Sequence, residues 1–470
     1  MTSELIVSAS GIRGIVGRGL DAKVAYRYGV AYGEHLSARN GTPASGMVLL
    51  GRDSRTSGLE LADAVADGLM AVGWDVGDLG IVPTPTALLA VQEDDRARGG
   101  LIVTASHNPA DWNGLKLGSG SGAFITPEDG REVQARFEAL TEGAAPRAAG
   151  GSSAVGSART GRRVSVEGAI ARHIDRILGL SLLFPTAVLP RRLHVAVDAV
   201  RGTGGLIVPP LLQRMGCEVI GIHLEPDGRF PRDPEPSAAN LAELGELVRE
   251  TGADLGMAID PDADRLALVD DRGRAIGEDW TLALATELVL SRNPGPVVTN
   301  LSTSQCIEDA ARRAGAALHR APVGEANVAG RMAEVGAVVG GEGNGGVMLP
   351  ALHPTRDAPL AAALTVQLLS ERNASLSDIL GRYPSYAIAK RKVRRPSEPL
   401  AAVYQRLESE APSGSRADRQ DGLRLAWPDR REWLHVRPSG TEPIVRIIAE
   451  APQESAAHAL SDWAAEILSS

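Results

Sequence analysis

Gly100-Leu101-Ile102-Val103 runs directly into Thr104-Ala105-Ser106-His107-Asn108-Pro109. An apolar run that stops at polar residues and an Asn-Pro step reads as a buried strand ending in a loop. Ser106 then stands at the carboxyl end of a strand, where α/β sheets hold their ligands. A hydroxyl in that place is a turn residue or a nucleophile, and the surrounding chain must separate the two. Ser106 beside His107 is no hydrolase triad. Adjacent side chains do not aim at one proton, and no G-x-S-x-G elbow encloses the serine.

Outward from that loop, one unit recurs three times: strand, helix, strand, helix, strand, then a polar or Gly-rich loop. The first starts at Met47-Val48-Leu49-Leu50, continues through an Ala/Leu-rich helix near 58–72, a strand near 75–79 and a helix near 84–93, and closes on Ser106. The second starts at Leu193-His194-Val195-Ala196-Val197-Asp198, has helices near 203–215 and 238–250, and passes Asp254-Leu255-Gly256-Met257-Ala258-Ile259. Its loop is Asp260-Pro261-Asp262-Ala263-Asp264-Arg265. The third starts at Pro296-Val297-Val298-Thr299-Asn300, has helices near 303–313 and 325–335, and passes Ala337-Val338-Val339. Its loop is Gly340-Gly341-Glu342-Gly343-Asn344-Gly345-Gly346. Such alternation predicts mainly parallel sheets with right-handed crossovers, so equivalent loops fall at equivalent strand ends. After about residue 385, strand-like Ser385-Tyr386-Ala387-Ile388-Ala389, Trp433-Leu434-His435-Val436 and Ile444-Val445-Arg446-Ile447-Ile448 mix with helices as a smaller α+β domain. The Gly/Ala/Ser-rich stretch from Gly143 to Gly161 reads as a flexible surface connection.

The chain has 470 residues, too many for one ordinary core. No apolar stretch approaches the ~20 residues of a membrane helix. Met1-Thr2-Ser3-Glu4 lacks a basic region followed by an apolar one, so the expected location is cytoplasmic. Cys217 and Cys306 match neither a disulfide framework nor a zinc spacing. A formal net charge of -9 and 3% aromatic residues argue against nucleic-acid binding. A phosphate site here must gather its cations locally.

Asp260, Asp262 and Asp264 alternate along the chain, which in an extended strand would put all three on one face. At ~3.3 Å per residue the outer two would stand ~13 Å apart. An octahedral Mg²⁺ holds its oxygens at ~2.0–2.1 Å, so the segment has to curl. An EF-hand is excluded, because its sixth and twelfth positions hold Arg265 and Asp271 rather than glycine and glutamate. Three carboxylates this close repel one another unless a cation intervenes.

Arg437-Pro438-Ser439-Gly440-Thr441-Glu442-Pro443, with Arg446 beyond it, combines two guanidinium forks, two hydroxyls and a glycine whose backbone can approach closely. That set suits a phosphate dianion. Glu342 and Asn344 lie among glycines, and a carboxylate plus an amide suits vicinal sugar hydroxyls. Ser119-Gly120-Ser121-Gly122 lacks the dinucleotide fingerprint and reads as a turn.

These segments together resemble the α-D-phosphohexomutase superfamily, including phosphoglucosamine mutases and phosphomannomutase/phosphoglucomutases, over essentially the whole chain. The Ser106 segment is similar to its phosphoserine loop, Asp260–Arg265 to its metal loop, Gly341–Gly345 to its sugar loop and Arg437–Pro443 to its phosphate loop.

The resemblance implies an α/β fold of three related mixed-sheet α/β/α domains plus a smaller α+β C-terminal domain, heart-shaped around a central cleft. The boundaries expected are 1–160, 161–273, 274–380 and 381–470. It implies that Ser106 is phosphorylated in the active form and shares Mg²⁺ with Asp260, Asp262 and Asp264. Arg13, in Ser10-Gly11-Ile12-Arg13-Gly14, and Lys116, in Asn113-Gly114-Leu115-Lys116, would assist transfer, with His107 and Arg265 lining the centre. Lys116 can act as acid and base only if cations or burial lower its pKa. Glu342 and Asn344 would hold the sugar, and Arg437, Ser439, Gly440, Thr441 and Arg446 its phosphate. The implied reaction interconverts a hexose 6-phosphate and 1-phosphate through a 1,6-bisphosphate, with glucosamine 6-phosphate preferred and mannose or glucose phosphates the alternative. A phosphorylated hexose or hexosamine is the expected partner, and the chain is expected to be a monomer or homodimer.

The chain departs from the family in places. The familiar bacterial sugar loop has serine at Asn344 and histidine at Gly346, so its histidine base has no counterpart at that position; His353 is near enough in sequence to be a candidate substitute. No lysine near Asn300-Leu301-Ser302-Thr303 matches the one some phosphomannomutases use. Val7-Ser8-Ala9-Ser10 replaces the familiar Thr-Asp before Gly11. Two other functions stay open on the residues alone. One is a phosphatase with an aspartate nucleophile such as Asp262, and the other is a non-catalytic sugar-phosphate sensor.

Overall fold

Met47–Arg52 is apolar along nearly its whole length because both of its faces are covered. Val48 and Leu50 enter one core with Leu61, Val65, Leu69, Val133 and Phe137, while Met47 and Leu49 enter another with Leu88 and Val91. That is the two-residue period of a strand between helix layers. The structure, a computed structural model, describes residues 5–8, 11–40, 46–140, 160–183, 190–439 and 444–469. Most of the expected 143–161 connection, and Gly440 and Thr441 of the expected phosphate loop, lie outside those residues.

The first sheet runs, edge to edge, Leu5–Ser8, Gly11–Ile15, Trp112–Ser119, Ala97–Val103, Met47–Arg52, Asp75–Ile81 and Arg163–Ser165. Its Met47, Asp75, Ala97 and Arg163 strands are parallel; the other three are antiparallel additions. The second sheet runs Leu266–Val269, Leu255–Ile259, His194–Asp198, Glu218–Ile222, again parallel with one antiparallel edge. Leu318–Ala321, Val297–Asn300 and Val339–Glu342 pair in parallel in the third. The last sheet, Ala387–Arg394, Ile444–Ala451, Glu432–Pro438, Leu423–Trp427 and Arg416–Asp418, is wholly antiparallel. Helices Leu400–Glu410 and Glu454–Ser469 cover one face of it through Val403, Leu407, Ala464 and Leu468.

The chain forms two compact units, Met1–Glu278 with Gly346–Ser375, and Asp279–Gly345 with Leu376–Ser470. In the first unit, Ala358–Arg372 is buried on all sides from Ala358 to Ser370 and packs on the helix Gly204–Arg214. Among the described residues no helix is long and apolar enough to cross a membrane. Ser119–Gly122 is the turn expected of it, closed by Gly122 N–H donating to the Ser119 carbonyl at 3.0 Å.

Candidate functional site

In the first unit, Ala97–Val103 ends as expected and the chain turns sharply, with Ser106 in the left-handed region at φ 51°. Strain of that kind in a non-glycine residue marks sites whose surroundings over-determine the backbone. The Ser106 hydroxyl donates to Asp260 Oδ2 at 3.1 Å and lies 3.3 Å from His107 Nδ1. Ser106 N–H donates to Thr104 Oγ1, which donates to Asp53 Oδ2, and Asp53 is paired with Arg55 Nε at 3.0 Å.

Arg55 is 1% exposed. Its Nη2 donates to the carbonyls of Ser106 and Asn108, and its Nη1 to those of Pro109 and Trp112. All five N–H groups of the guanidinium are thus used, four of them to shape one loop. Sequence reasoning missed Arg55. The available signal was Arg52-Asp53-Ser54-Arg55, a charged run just past the strand that pairs in parallel with the Ser106 strand.

Asp260 follows Leu255–Ile259, and the loop curls as the spacing required. Ala263 takes φ 55°, which brings the N–H groups of Asp264 and Arg265 onto Asp260 Oδ1 at 3.1 and 3.2 Å. Asp262 Oδ2 accepts from Thr84 Oγ1 and from Lys116 Nζ, each at 2.7 Å. Asp264 Oδ2 accepts from Arg356 Nη2 at 2.7 Å and Lys116 Nζ at 3.3 Å. Among the described residues, the buried Oδ1 atoms of Asp262 and Asp264 accept no hydrogen bond, and Asp264 Oδ1 lies 3.6 Å from Arg265 Nε.

The three aspartates offer oxygens lying within 4.8 Å of one another. Burial, then the neighbouring Asp264 and Asp262, push the Asp260 carboxyl far above its usual range. Burial also acts on Asp264, but Arg356, Lys116 and Arg265 outweigh it and hold that carboxyl low. Buried oxygen-only donors with two unmet acceptors fit a hard divalent cation.

Arg13 and Lys116 lie on adjacent antiparallel strands in which Gly11 faces Lys116 and Arg13 faces Gly114. The two cations therefore share a face of the sheet. A Cβ on Gly11 would stand 2.0 Å from the Leu115 carbonyl, so only glycine permits that pairing. Burial lowers the Lys116 pKa, but Asp262 and Asp264 outweigh it and raise it. The lowering that an acid and base role would require is not seen at Lys116, whose Nζ is held between the two carboxylates. His107 is driven the other way, first by the Arg265 charge and then by burial.

In the second unit, Glu342 ends the strand Val339–Glu342 and is 4% exposed. Its Oε1 accepts from Asn300 Nδ2 and from the Gly324 N–H, each at 2.9 Å. Asn344 is partly exposed, and its Oδ1 is buried without a hydrogen-bond partner among the described residues. Arg437 and Arg446 face each other across Glu432–Pro438 and Ile444–Ala451, and Lys392 is the next cross-strand neighbour of Arg446. Like charges in register destabilise a sheet unless an anion or acid answers them. Arg437 Nε donates to Asp421 Oδ2 at 2.8 Å, and the Ser439 N–H donates to the Ile444 carbonyl at 2.9 Å.

The first unit thus gathers Ser106, His107, Lys116, Asp260, Asp262, Asp264, Arg265 and Arg13, and the second carries Glu342, Asn344, Arg437, Ser439 and Arg446. His353 does not serve as a base. It is fully buried, 2.8 Å from Asp357 Oδ2 through Nε2 and 2.6 Å from Thr355 Oγ1 through Nδ1, so both ring nitrogens are occupied. Thr84, Arg356 and Asp421 were also not legible as site residues.

Family models described as phosphoglucomutase/phosphomannomutase alpha/beta/alpha domains I, II and III and C-terminal domain match residues 4–144, 171–273, 277–386 and 389–467. A probable phosphoglucosamine mutase of Methanopyrus kandleri is 37% identical over 98% of this chain and 96% of its own. A phosphoglucomutase/phosphomannomutase of Thermococcus kodakarensis is 36% identical over 95% of this chain and 94% of its own. The crystal structure of a phosphoglucomutase/phosphomannomutase family protein from Burkholderia thailandensis superposes with a TM-score of 0.83 at 29% identity, covering 98% of both chains.

Proposed function

The chain belongs to the phosphoglucomutase/phosphomannomutase family, the α-D-phosphohexomutases, and from that premise we propose that it interconverts glucosamine 6-phosphate and glucosamine 1-phosphate. The observation that carries the reading is Ser106, its hydroxyl 3.1 Å from Asp260 in a loop built to hold it, beside two buried carboxylate oxygens that accept no hydrogen bond among the described residues. Phosphoryl transfer asks the protein for position and charge compensation more than for covalent work. Ser106 carries the phosphoryl group, gives it to the sugar to form a 1,6-bisphosphate, and takes the other phosphate back.

Asp260, Asp262 and Asp264, with Ser106, would hold Mg²⁺, which when bound supplies positive charge to the transferring group. Lys116 and Arg13 stabilise charge on the same group, with His107 and Arg265 beside them. Lys116, hydrogen-bonded to Asp262 and Asp264, keeps its proton and presents positive charge to the transferring group. Glu342 and Asn344 orient the sugar hydroxyls. Arg437, Ser439, Gly440, Thr441 and Arg446 hold whichever phosphate is not reacting, so one nucleophile serves both ends. We assign the domains to 1–160, 161–273, 274–380 and 381–470. Cys217 and Cys306, buried and unpaired, suit a reducing compartment, and we place the enzyme in the cytoplasm as a monomer or homodimer.

The name of the Thermococcus kodakarensis relative favours a second reading, on mannose and glucose phosphates. Rates on glucosamine, mannose and glucose phosphates, each with a catalytic amount of its 1,6-bisphosphate, decide between them. Mapping the phosphorylated residue tests the mechanism. Phosphate on an aspartate, with full turnover in Ser106→Ala, would replace it by a phosphatase, and binding without isomerisation would leave a sensor.

A further inference from the structure

Asp421 occupies the turn before Leu423–Trp427 and joins segments far apart in sequence. Its Oδ2 accepts from Arg437 Nε at 2.8 Å and from the Val323 N–H at 3.1 Å. Its carbonyl accepts from His435 Nε2 at 2.6 Å. Gly422 has φ 76°, and a Cβ there would lie 2.3 Å from the Val436 carbonyl, so the turn presses onto the strand that ends in Arg437.

Two arms lead from Asp421 to one oxygen of Glu342. In the first, Val323 N–H binds Asp421 while the next amide, Gly324 N–H, binds Glu342 Oε1 at 2.9 Å. In the second, His435 Nε2 binds the Asp421 carbonyl and its Nδ1 lies 2.8 Å from Ser302 Oγ. Ser302 N–H donates to Asn300 Oδ1 at 2.8 Å, and Asn300 Nδ2 donates to Glu342 Oε1 at 2.9 Å. Burial keeps His435 neutral, with its pKa lowered to about 4, which suits one donating and one accepting ring nitrogen.

We propose that Asp421 is a positioning residue that fixes the Arg437 fork at a set distance from Glu342, and so measures the span between a sugar's phosphate and its ring hydroxyls. The proposal rests on the reading of Arg437 as phosphate receptor and Glu342 as sugar ligand. Asp421 grips the Nε edge of the guanidinium, and among the described residues the terminal nitrogens make no hydrogen bond. Phosphate is bound bidentately, so the direction of the fork matters as much as its charge. A closed ring of hydrogen bonds sets that direction from two sides.

The test is Asp421→Asn, which keeps the shape and removes the charge, assayed with glucosamine 6-phosphate and with glucose 1-phosphate. Calorimetry with glucose 1,6-bisphosphate and a melting curve run alongside. The expected result is a Michaelis constant and a bisphosphate dissociation constant raised about ten-fold, the loss of one charge-assisted hydrogen bond. The kcat stays within about three-fold and the melting temperature within a few degrees. Ser302→Ala, which cuts only the second arm, should move the Michaelis constant less and in the same direction. Unchanged binding constants in Asp421→Asn overturn the proposal, and so does a fall in kcat and melting temperature together at constant Michaelis constant. Absence of mutase turnover in the parent protein would sink the functional reading instead, and the bisphosphate dissociation constants would still decide the role of Asp421.

Discussion

Arg55 Nη2 donates to the backbone carbonyl of Ser106 at 2.7 Å, so the peptide group of the proposed phosphoryl carrier is held by a buried guanidinium from a neighbouring strand end. Three further carbonyls of the same loop share that fork. The hydroxyl can stand in a left-handed backbone position because the loop is tied down behind it.

Arg55→Lys should therefore lower kcat about ten-fold or more with little change in Michaelis constant. An ammonium has three donors in place of five, and each buried carbonyl left unmet costs about 1–3 kcal/mol. The melting temperature should fall as well. Incubation with the 1,6-bisphosphate followed by phosphoserine analysis should show reduced loading, and normal loading at normal kcat would remove Arg55 from this role.

What the sequence revealed and what it hid follow one physical division. Ser106, Asp260, Asp262 and Asp264 were legible because each is a polar residue placed just after an apolar run, a local pattern. The curl of the Asp260–Arg265 loop was legible too, from the distance that three carboxylates must close. Arg55 was not, because its acceptors lie 51–57 residues away, and nothing near Arg55 announces them. The strand Trp112–Ser119, which carries Lys116, was hidden by its glycines. The third unit's first helix begins at Cys306 rather than near 303, since Ser302 and Thr303 are engaged by Asn300 before the helix starts. Buried His353 looked like a base because proximity in sequence says nothing of the Asp357 and Thr355 that enclose it.

Thr84 occupies Asp262 Oδ2 at 2.7 Å, and the buried Oδ1 accepts no hydrogen bond among the described residues. Thr84→Val keeps the shape and removes the donor. Losing a hydrogen bond that orients a metal ligand typically costs about 10- to 100-fold in metal affinity. The Mg²⁺ concentration for half-maximal activity should rise within that range, while kcat at saturating Mg²⁺ stays within about three-fold. An unchanged Mg²⁺ titration would show that Lys116 alone orients the carboxylate.

His353 gives the first unit a pH dependence of defined sign. Burial lowers its pKa in the folded chain, so below the unfolded value of about 6.5 the unfolded chain binds a proton that the folded chain refuses. Stability should fall as pH drops below 6.5, by up to about 1.4 kcal/mol per pH unit for this one group. Asp357 acts lower in the scale: its depressed pKa contributes stability above about pH 4 that is lost on further acidification. His353→Gln retains an Nε2 donor for Asp357 but does not titrate. Denaturation curves between pH 7.5 and 5 should show a shallower slope in the variant, and parallel slopes would reject the assignment.

The cross-strand pair Arg437 and Arg446 should make the second unit responsive to anions. Two guanidinium groups in register repel each other, and Asp421 binds the Nε edge of Arg437. A bound dianion relieves that repulsion and stabilises the fold by mass action, so inorganic phosphate should raise the melting temperature in proportion to the logarithm of its concentration. Arg437→Lys cannot reach Asp421 and present a planar fork at once, and should raise the Michaelis constant for hexose phosphates about ten-fold or more. Its phosphate-dependent rise in melting temperature should shrink accordingly. A variant that keeps both the parent's Michaelis constant and its response to phosphate would place the dianion elsewhere.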